Sequence, residues 1–346
     1  MPDPSVSAPK RILLIRPSAL GDVCRTVPVL VSLKRRWPEA EIDWLVQDTF
    51  APAITSHPDL HEAIPFQRKR FAKLHHPGTV AAFFRWLKQL RGRDYDLALD
   101  CQGLFRSGFI AWRTGAVRRV GDRNARELGW LFLNERHTID PSLHTVDRML
   151  SLAEAAGAPA VREMSLHTSI EARGRARAKW PWLTERPVVL APTSRWASKR
   201  WPADRFAALA RDLLDQGTNH IAVVGGPGEE EQCQPLIDLA AANSRTHALV
   251  GKTPIEELLC VIESASLVVA NDSAALHMAV GFERPTVALF GPTDTGQVGP
   301  YRMDDDVIQM RYMSDVFDHK NDANVRMMER IDLTTVRSAC LRKLRQ

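Results

Sequence analysis

No stretch of the chain approaches the ~18 continuous apolar residues that a membrane-spanning helix requires, so no such span is expected. The first ten residues hold three prolines and no apolar run, which is not the pattern of an export signal. Cysteine is sparse: Cys24, Cys101, Cys233, Cys260 and Cys340 are odd in number, widely scattered and without the short paired spacings of a zinc site or redox motif. They read as reduced thiols of a cytoplasmic protein. A complete G-x-G-x-x-G fingerprint and a complete G-x-x-x-x-G-K-[ST] loop are both missing, which disfavours a nicotinamide enzyme or a P-loop NTPase. Repeats shorter than a domain are absent, as are low-complexity tracts beyond the N-terminal ten residues.

What is present is enough for two domains. A chain of 346 residues with 45% hydrophobic and 25% charged residues can bury two separate cores. The net charge of +5 is unevenly spread: residues 1–170 carry 24 Lys+Arg against 18 Asp+Glu, leaving 22 against 23 for the remainder. The N-terminal half therefore favours an anionic partner, although ordinary solvated surface charge accounts for the counts equally well.

Hydrophobic patterning gives a doubled α/β reading. Arg11–Arg16 is a short apolar run ended by Pro17-Ser-Ala-Leu-Gly-Asp22, and Val23–Arg36 reads as a helix. The alternation continues with a strand at Glu41–Val46, a helix at Val80–Leu90 and a strand at Leu97–Asp100. After the charged helix-like stretch Ile170–Arg186, new strands are expected at Pro187–Ala191, His220–Val224, Leu267–Ala270 and Thr286–Phe290. Alternating strands and helices imply parallel sheets covered on both faces, whose ligands bind beyond the carboxyl ends of the strands. The informative loops are those that directly follow each apolar run.

The most distinctive loop is Val269-Ala-Asn-Asp-Ser-Ala-Ala-Leu-His277, a strand end running into a helix whose first turn is read as Asp272–Ala275. Its amides and the Ser273 hydroxyl make an anion site; equally, Asp272 is a helix cap and His277 a core histidine. A second polar loop, Gly291-Pro-Thr-Asp294, is expected at the same sheet edge. Asp94-Tyr-Asp96 precedes its strand and reads as a turn, and Asp304-Asp-Asp306 as a solvated run, so no metal site is expected.

The run Asn271–His277 followed by Arg284-Pro-Thr-Val-Ala-Leu-Phe-Gly-Pro-Thr-Asp294 is similar to the C-terminal signature of the ADP-heptose:lipopolysaccharide heptosyltransferases, glycosyltransferase family 9. Ser18-Ala-Leu-Gly-Asp22 with Thr26-Val-Pro28 resembles the N-terminal signature, and Asp100-Cys-Gln-Gly-Leu104 and Ser198-Lys-Arg-Trp-Pro202 match further patterns. The resemblance spans both halves in order. It implies a GT-B fold: two Rossmann-like doubly wound domains facing a central cleft. The acceptor domain would be residues 1–170, the linker 171–186 and the nucleotide-sugar domain 187–346, with the last helix returning to the N-terminal domain.

Residue by residue, the resemblance implies Asp22 as catalytic base and Lys199 as the diphosphate contact. A carboxylate that takes the acceptor proton and a cation at the leaving diphosphate are what inverting transfer needs; a helix cap is the competing role for Asp22. Thr193 and Ser194 stand where the family has a Thr pair, although two extra residues, with Arg195-Trp196 intervening, separate them from Lys199; Arg195 either takes part of the phosphate role or is surface charge. Glu229 is implied for the nucleoside ribose, Lys252 and Thr253 for the adenine-contacting loop, and Asp272, Ser273, Ala274 and His277 for the donor. A helix start enriched in acids explains the other glutamates of Gly225-Gly-Pro-Gly-Glu-Glu-Glu231.

For the acceptor, Arg68, Arg70, Gln102 and Arg126 are implied, with Lys73, Arg106, Arg118, Arg119 and Arg123 as further basic candidates toward the phosphates and carboxylates of an anionic lipid-linked glycan. No metal, cofactor or nucleic-acid partner is implied, and contact with the membrane would be peripheral. A relative using another nucleotide sugar or acceptor stays open; a sugar-nucleotide epimerase would need further acids or bases around the donor sugar that the sequence does not place, and Asp22, Lys199 and Asp272 together argue against the alternative of a non-catalytic sugar-nucleotide-binding protein.

Overall fold

The computed structural model describes residues 8–72, 76–321 and 324–346. The chain forms two compact units, Met1–His167 and Thr168–Gln346. In the first, strands β1 (Arg11–Ile15), β2 (Glu41–Gln47), β3 (Glu62–Phe66), β4 (Leu97–Asp100), β5 (Arg118–Asp122) and β6 (Glu135–His137) build one sheet in the order β3-β2-β1-β4-β5-β6. In the second, β7 (Val188–Ala191), β8 (Ile221–Val223), β9 (Thr246–Ala248), β10 (Leu267–Asn271), β11 (Thr286–Phe290) and β12 (Val307–Gln309) are ordered β12-β11-β10-β7-β8-β9. Every strand pairing in both sheets is parallel. Counted from its own first strand, each unit runs 3-2-1-4-5-6, so each has one switch point, between β1 and β4 and between β7 and β10.

The strands expected from the sequence are the central ones. Their apolar runs are buried on both faces, and Ile12 through Ile15 and Leu267 through Ala270 are wholly inaccessible. β3, β5, β6, β9 and β12 were not anticipated. β3 contains Pro65, tolerated on an edge; β5 begins with two arginines; β6, β9 and β12 have three residues each.

Helices cover the sheets. The helix Leu20–Arg36 buries Val23, Val27, Leu30 and Leu33 and ends in Lys34-Arg35-Arg36, cations that complement the negative end of its dipole. It begins three residues before the expected Val23, which places Asp22 inside its first turn. In the second unit the core gathers Val188, Leu190, Phe206, Leu213, Val223, Leu267 and Leu289, each worth roughly 1.5–3 kcal/mol of transfer free energy. The last helix, Leu333–Leu344, packs within its own unit, where Val336, Ala339 and Cys340 complete that core. The stretch expected to link the domains holds a helix, Ile170–Lys179, whose Arg175 and Lys179 pair with Glu256 and Glu257.

Candidate active site

At the first switch point, β1 gives way to Arg16 and leads through Pro17 and Ser18 into the helix that carries Asp22. Asp22 is the third residue of that helix, and its Oδ2 accepts from the Ala19 amide at 3.2 Å. The same oxygen lies 2.9 Å from Arg16 Nη2, while Oδ1 lies 2.5 Å from Arg25 Nη2. Capping and charge pairing are thus both real, and a quarter of the side chain stays exposed. Two guanidiniums fix the carboxylate plane and balance its charge.

The loop after β4 closes this edge. Arg16 also donates through Nη1 to the Cys101 carbonyl, and the Ser18 amide donates to Gln102 Oε1 at 3.2 Å. Asp100 is 1% exposed and accepts from the Gln102 and Gly103 amides and the Ser107 hydroxyl at 2.9, 3.1 and 2.9 Å. Burial pushes its carboxyl up to about 6, against the pull of those donors. Gly103, at φ 65°, turns the chain so that its carbonyl accepts from the Arg126 amide at 2.9 Å.

At the second switch point, the loop after β7 carries Thr193, Ser194 and Lys199, and the loop after β10 carries Asp272 and Ser273. Lys199 Nζ and Asp272 Oδ2 are 2.6 Å apart, with side chains only 13% and 11% exposed. Ser194 Oγ donates to the Asp272 carbonyl at 3.3 Å. The helix here begins at Ala274 rather than Asp272, with Ser273 as its N-cap and its Oγ accepting no capping bond. Asp272 lies outside the cap, and its carboxylate is engaged by Lys199. His277, one turn on, is 3% exposed.

Several residues without an expected role hold this edge together. Buried Asn271 donates to the Pro192 carbonyl at 2.6 Å and accepts from the Trp201 amide at 3.2 Å, tying the two loops. Trp201 is 1% exposed and its Nε1 donates to the Ile331 carbonyl at 2.8 Å. Arg200 Nε donates to the Ser194 carbonyl at 2.7 Å, and Gln232 accepts from the Ser194 amide at 3.2 Å. Ser198 donates to the His319 carbonyl at 2.6 Å, and the His319 ring meets Trp196 edge-on at 5.6 Å. Burial, then the Lys199 charge, hold His319 below its ordinary range. Arg195 is exposed and lies over the Trp196 ring at 5.2 Å. Arg16, Arg25 and Asn271 each sit within or beside a motif, a signal that the sequence reading left unused.

The loops after β8 and β9 adjoin this edge. Thr193 packs so closely on Gly225 that a Cβ there would lie 2.9 Å from its methyl. Glu229 accepts from the Gly226 amide at 2.7 Å through Oε2, and the Gly251 amide donates to the Gly225 carbonyl at 3.1 Å. Lys252 is exposed and donates to the Ala248 carbonyl at 3.1 Å. Thr253 has a buried Oγ1 with no protein partner.

The basic candidates divide. Arg126 is exposed at the β4 edge. Arg68 and Arg70 are exposed on a one-turn helix, Arg68–Phe71, anchored by buried Phe71, where an irregular segment was expected. Arg118 and Arg119 do not follow a strand; they open β5 at the opposite end of the sheet. Arg118 pairs with Glu135 at 2.7 Å and Arg119 donates to the Phe132 and Ala116 carbonyls, so both are structural. Lys73 lies outside the described residues. Asp96, before β4, accepts from the Lys10 and Arg11 amides at 2.7 and 3.0 Å. Among the described residues, Asp43, His61 and Glu62 come close enough to share an ion. Arg93 bridges Asp43 and Glu62 at 2.9 and 2.6 Å, and Tyr95 donates to Asp43 at 2.6 Å, so that cluster is an ion-pair network at the amino edge of the sheet.

A family model described as glycosyltransferase family 9 (heptosyltransferase) matches residues 83–324. Lipopolysaccharide heptosyltransferase 1 of Pseudomonas aeruginosa is 30% identical over 297 residues, covering 84% of this chain and 81% of the relative. Lipopolysaccharide heptosyltransferase 1 of Escherichia coli K12 is 28% identical over 303 residues, covering 84% and 91%. The fold matches the solved structure of E. coli ADP-heptose lps heptosyltransferase II with a TM-score of 0.80 at 24% identity, over 97% of this chain and 99% of that one.

Proposed function

The chain belongs to glycosyltransferase family 9, and from that premise we propose that it is an inverting transferase moving a heptose from ADP-heptose to an acceptor sugar of the lipopolysaccharide inner core. The observation that carries this reading is a pair of pre-organised charges at equivalent switch points: Asp22 held by Arg16 and Arg25, and Lys199 held by Asp272.

In the proposed reaction an acceptor hydroxyl attacks the anomeric carbon, its proton passes to the Asp22 carboxylate, and the bond from that carbon to ADP breaks. Attack opposite the leaving group inverts the anomeric centre. One carboxylate suffices because the departing diphosphate is already anionic, and the arginines keep Asp22 in one orientation. Lys199, the Ser273 and Ala274 amides, and the Thr193 and Ser194 hydroxyls are assigned to the diphosphate, where fixed donors stabilise the charge as it develops. His277 lies behind them in the donor helix. Glu229 is assigned to the ribose through its second oxygen, and the Lys252-Thr253 loop to the adenine. This charge supply lets transfer proceed without a metal or other cofactor.

Arg68, Arg70, Gln102 and Arg126 are assigned to an anionic, lipid-borne acceptor, which makes the expected contact with the membrane peripheral. Among the described residues no helix is long and apolar enough to cross a membrane. Thermal-shift titration with ADP, GDP and UDP tests the donor side, and an adenosine preference is expected. A uridine preference would overturn the assignment, as would transfer that retains anomeric configuration.

A further inference from the structure

One face of the first unit is apolar and exposed, and its two helices carry no acidic residue. It is built from the helices Pro77–Arg91 and Phe105–Thr114 and the short turn Gly129–Phe132. Gly108 and Gly129 let the second helix and the turn meet backbone to backbone, since a Cβ on Gly108 would fall 2.3 Å from the Gly129 carbonyl oxygen. That approach puts Phe132 against Phe105 and Phe109, with ring centroids 5.1 and 5.7 Å apart. A groove of about 310 Å³ between Val80, Phe84 and Phe109 joins the helices. Phe84, Phe105 and Trp112 are 50%, 48% and 47% exposed, and Leu128 and Leu131 flank the turn at 56% and 51%.

Soluble surfaces rarely leave so many large apolar side chains together without a partner. Charge identifies the partner. The helix Pro77–Arg91 carries Arg85, Lys88 and Arg91 and the helix Phe105–Thr114 carries Arg106 and Arg113, with no Asp or Glu in either. Arg113 lies over the Trp112 ring at 5.5 Å and Arg136 over Trp130 at 5.0 Å. Aromatic and leucine side chains ringed by cations are the composition of a surface that sits in the headgroup layer of an anionic bilayer. A second copy of the chain would set this positive face against itself.

We propose that this face is the protein's membrane-docking surface, seated on anionic phospholipid with Phe84, Phe105 and Trp112 entering the headgroup boundary. The proposal rests on the reading of a lipid-borne acceptor and adds to it the surface that meets the lipid. Docked there, the unit that carries Asp22 would meet its acceptor in two dimensions rather than three.

The test is co-sedimentation of the full chain with vesicles of phosphatidylglycerol and phosphatidylcholine, against vesicles of phosphatidylcholine alone. Wild type should bind the anionic vesicles and be partly released by high salt. Phe84→Ser with Phe105→Ser, and separately Arg85→Ser with Lys88→Ser, should each weaken binding about 10- to 30-fold while leaving the melting temperature and the ADP-induced shift unchanged. Equal binding by both double variants would overturn the proposal. So would a wild type that ignores anionic vesicles, or one that self-associates through this face in a manner abolished by Phe84→Ser with Phe105→Ser. Transfer to a deacylated, water-soluble acceptor separates the two readings. A protein that transfers but ignores vesicles removes the docking face alone; one that binds vesicles and transfers nothing removes the transferase assignment and leaves the face.

Discussion

The two units share one strand order and place their candidate groups at the same topological position, yet with opposite polarity. In the first, an anion is clamped by two cations: Asp22 between Arg16 and Arg25. In the second, a cation is clamped by an anion: Lys199 against Asp272. Beneath each pair a buried polar side chain fixes the loops, Asp100 in one and Asn271 in the other. The shared fold supplies a place where two loops meet; side chains decide which charge that place presents.

The sharpest way to break this comparison is Asp22→Asn, expected to lower kcat by ~10²–10⁴-fold with ADP binding unchanged. Near-normal turnover in a steady-state assay would remove Asp22 from the chemistry. Lys199→Met should cost kcat about 10²–10³-fold and also weaken ADP. It leaves Asp272 largely buried without its cation, at a cost of about 1–3 kcal/mol in chemical denaturation. Adding Asp272→Asn should restore the stability and not the activity; recovery of both would make the pair purely structural.

The next effect is on stability against pH. The folded-state pKa of Asp100, about 6, lies above its unfolded value, so the folded protein binds the extra proton. Its contribution is complete below the unfolded pKa near pH 4 and is lost as pH rises through about 6. Asp100→Asn keeps the shape without the titration, so its stability relative to wild type should grow by about 2–3 kcal/mol between pH 4 and 7. His57 and His247 are lowered to about 4 by burial and act in the other direction, losing stability as pH falls from about 6.5. They are common to both proteins and cancel in the difference, so a flat difference in melting temperature would refute the assignment to Asp100. The smallest effect belongs to Arg126→Ala, expected to raise acceptor KM several-fold with donor KM unaltered; an unchanged acceptor KM would remove that residue from the acceptor site.

The strands at the centre of each sheet are legible in the sequence and most of the outer ones are not, for one physical cause. Central strands such as β4 and β10 are buried on both faces and must be continuously apolar. Edge strands such as β6 and β12 are three residues long and only partly buried, and β3 carries a proline. Arg118 and Arg119 open a strand whose first two residues are charged and only partly buried, so the end of the sheet on which they lie is not legible from local pattern. The motif loops were legible because each follows a central strand directly.

Local pattern by itself therefore determined the two α/β halves and the motif loops that follow their central strands, since periodicity and composition are properties of neighbouring residues. Only the tertiary structure decided the partners. Lys199 meets Asp272 across 73 positions, and Asn271 reaches Pro192 across 79. Those contacts exist because the parallel order of the sheet sets β7 beside β10, a consequence of how crossover helices pack and not of any spacing written along the chain.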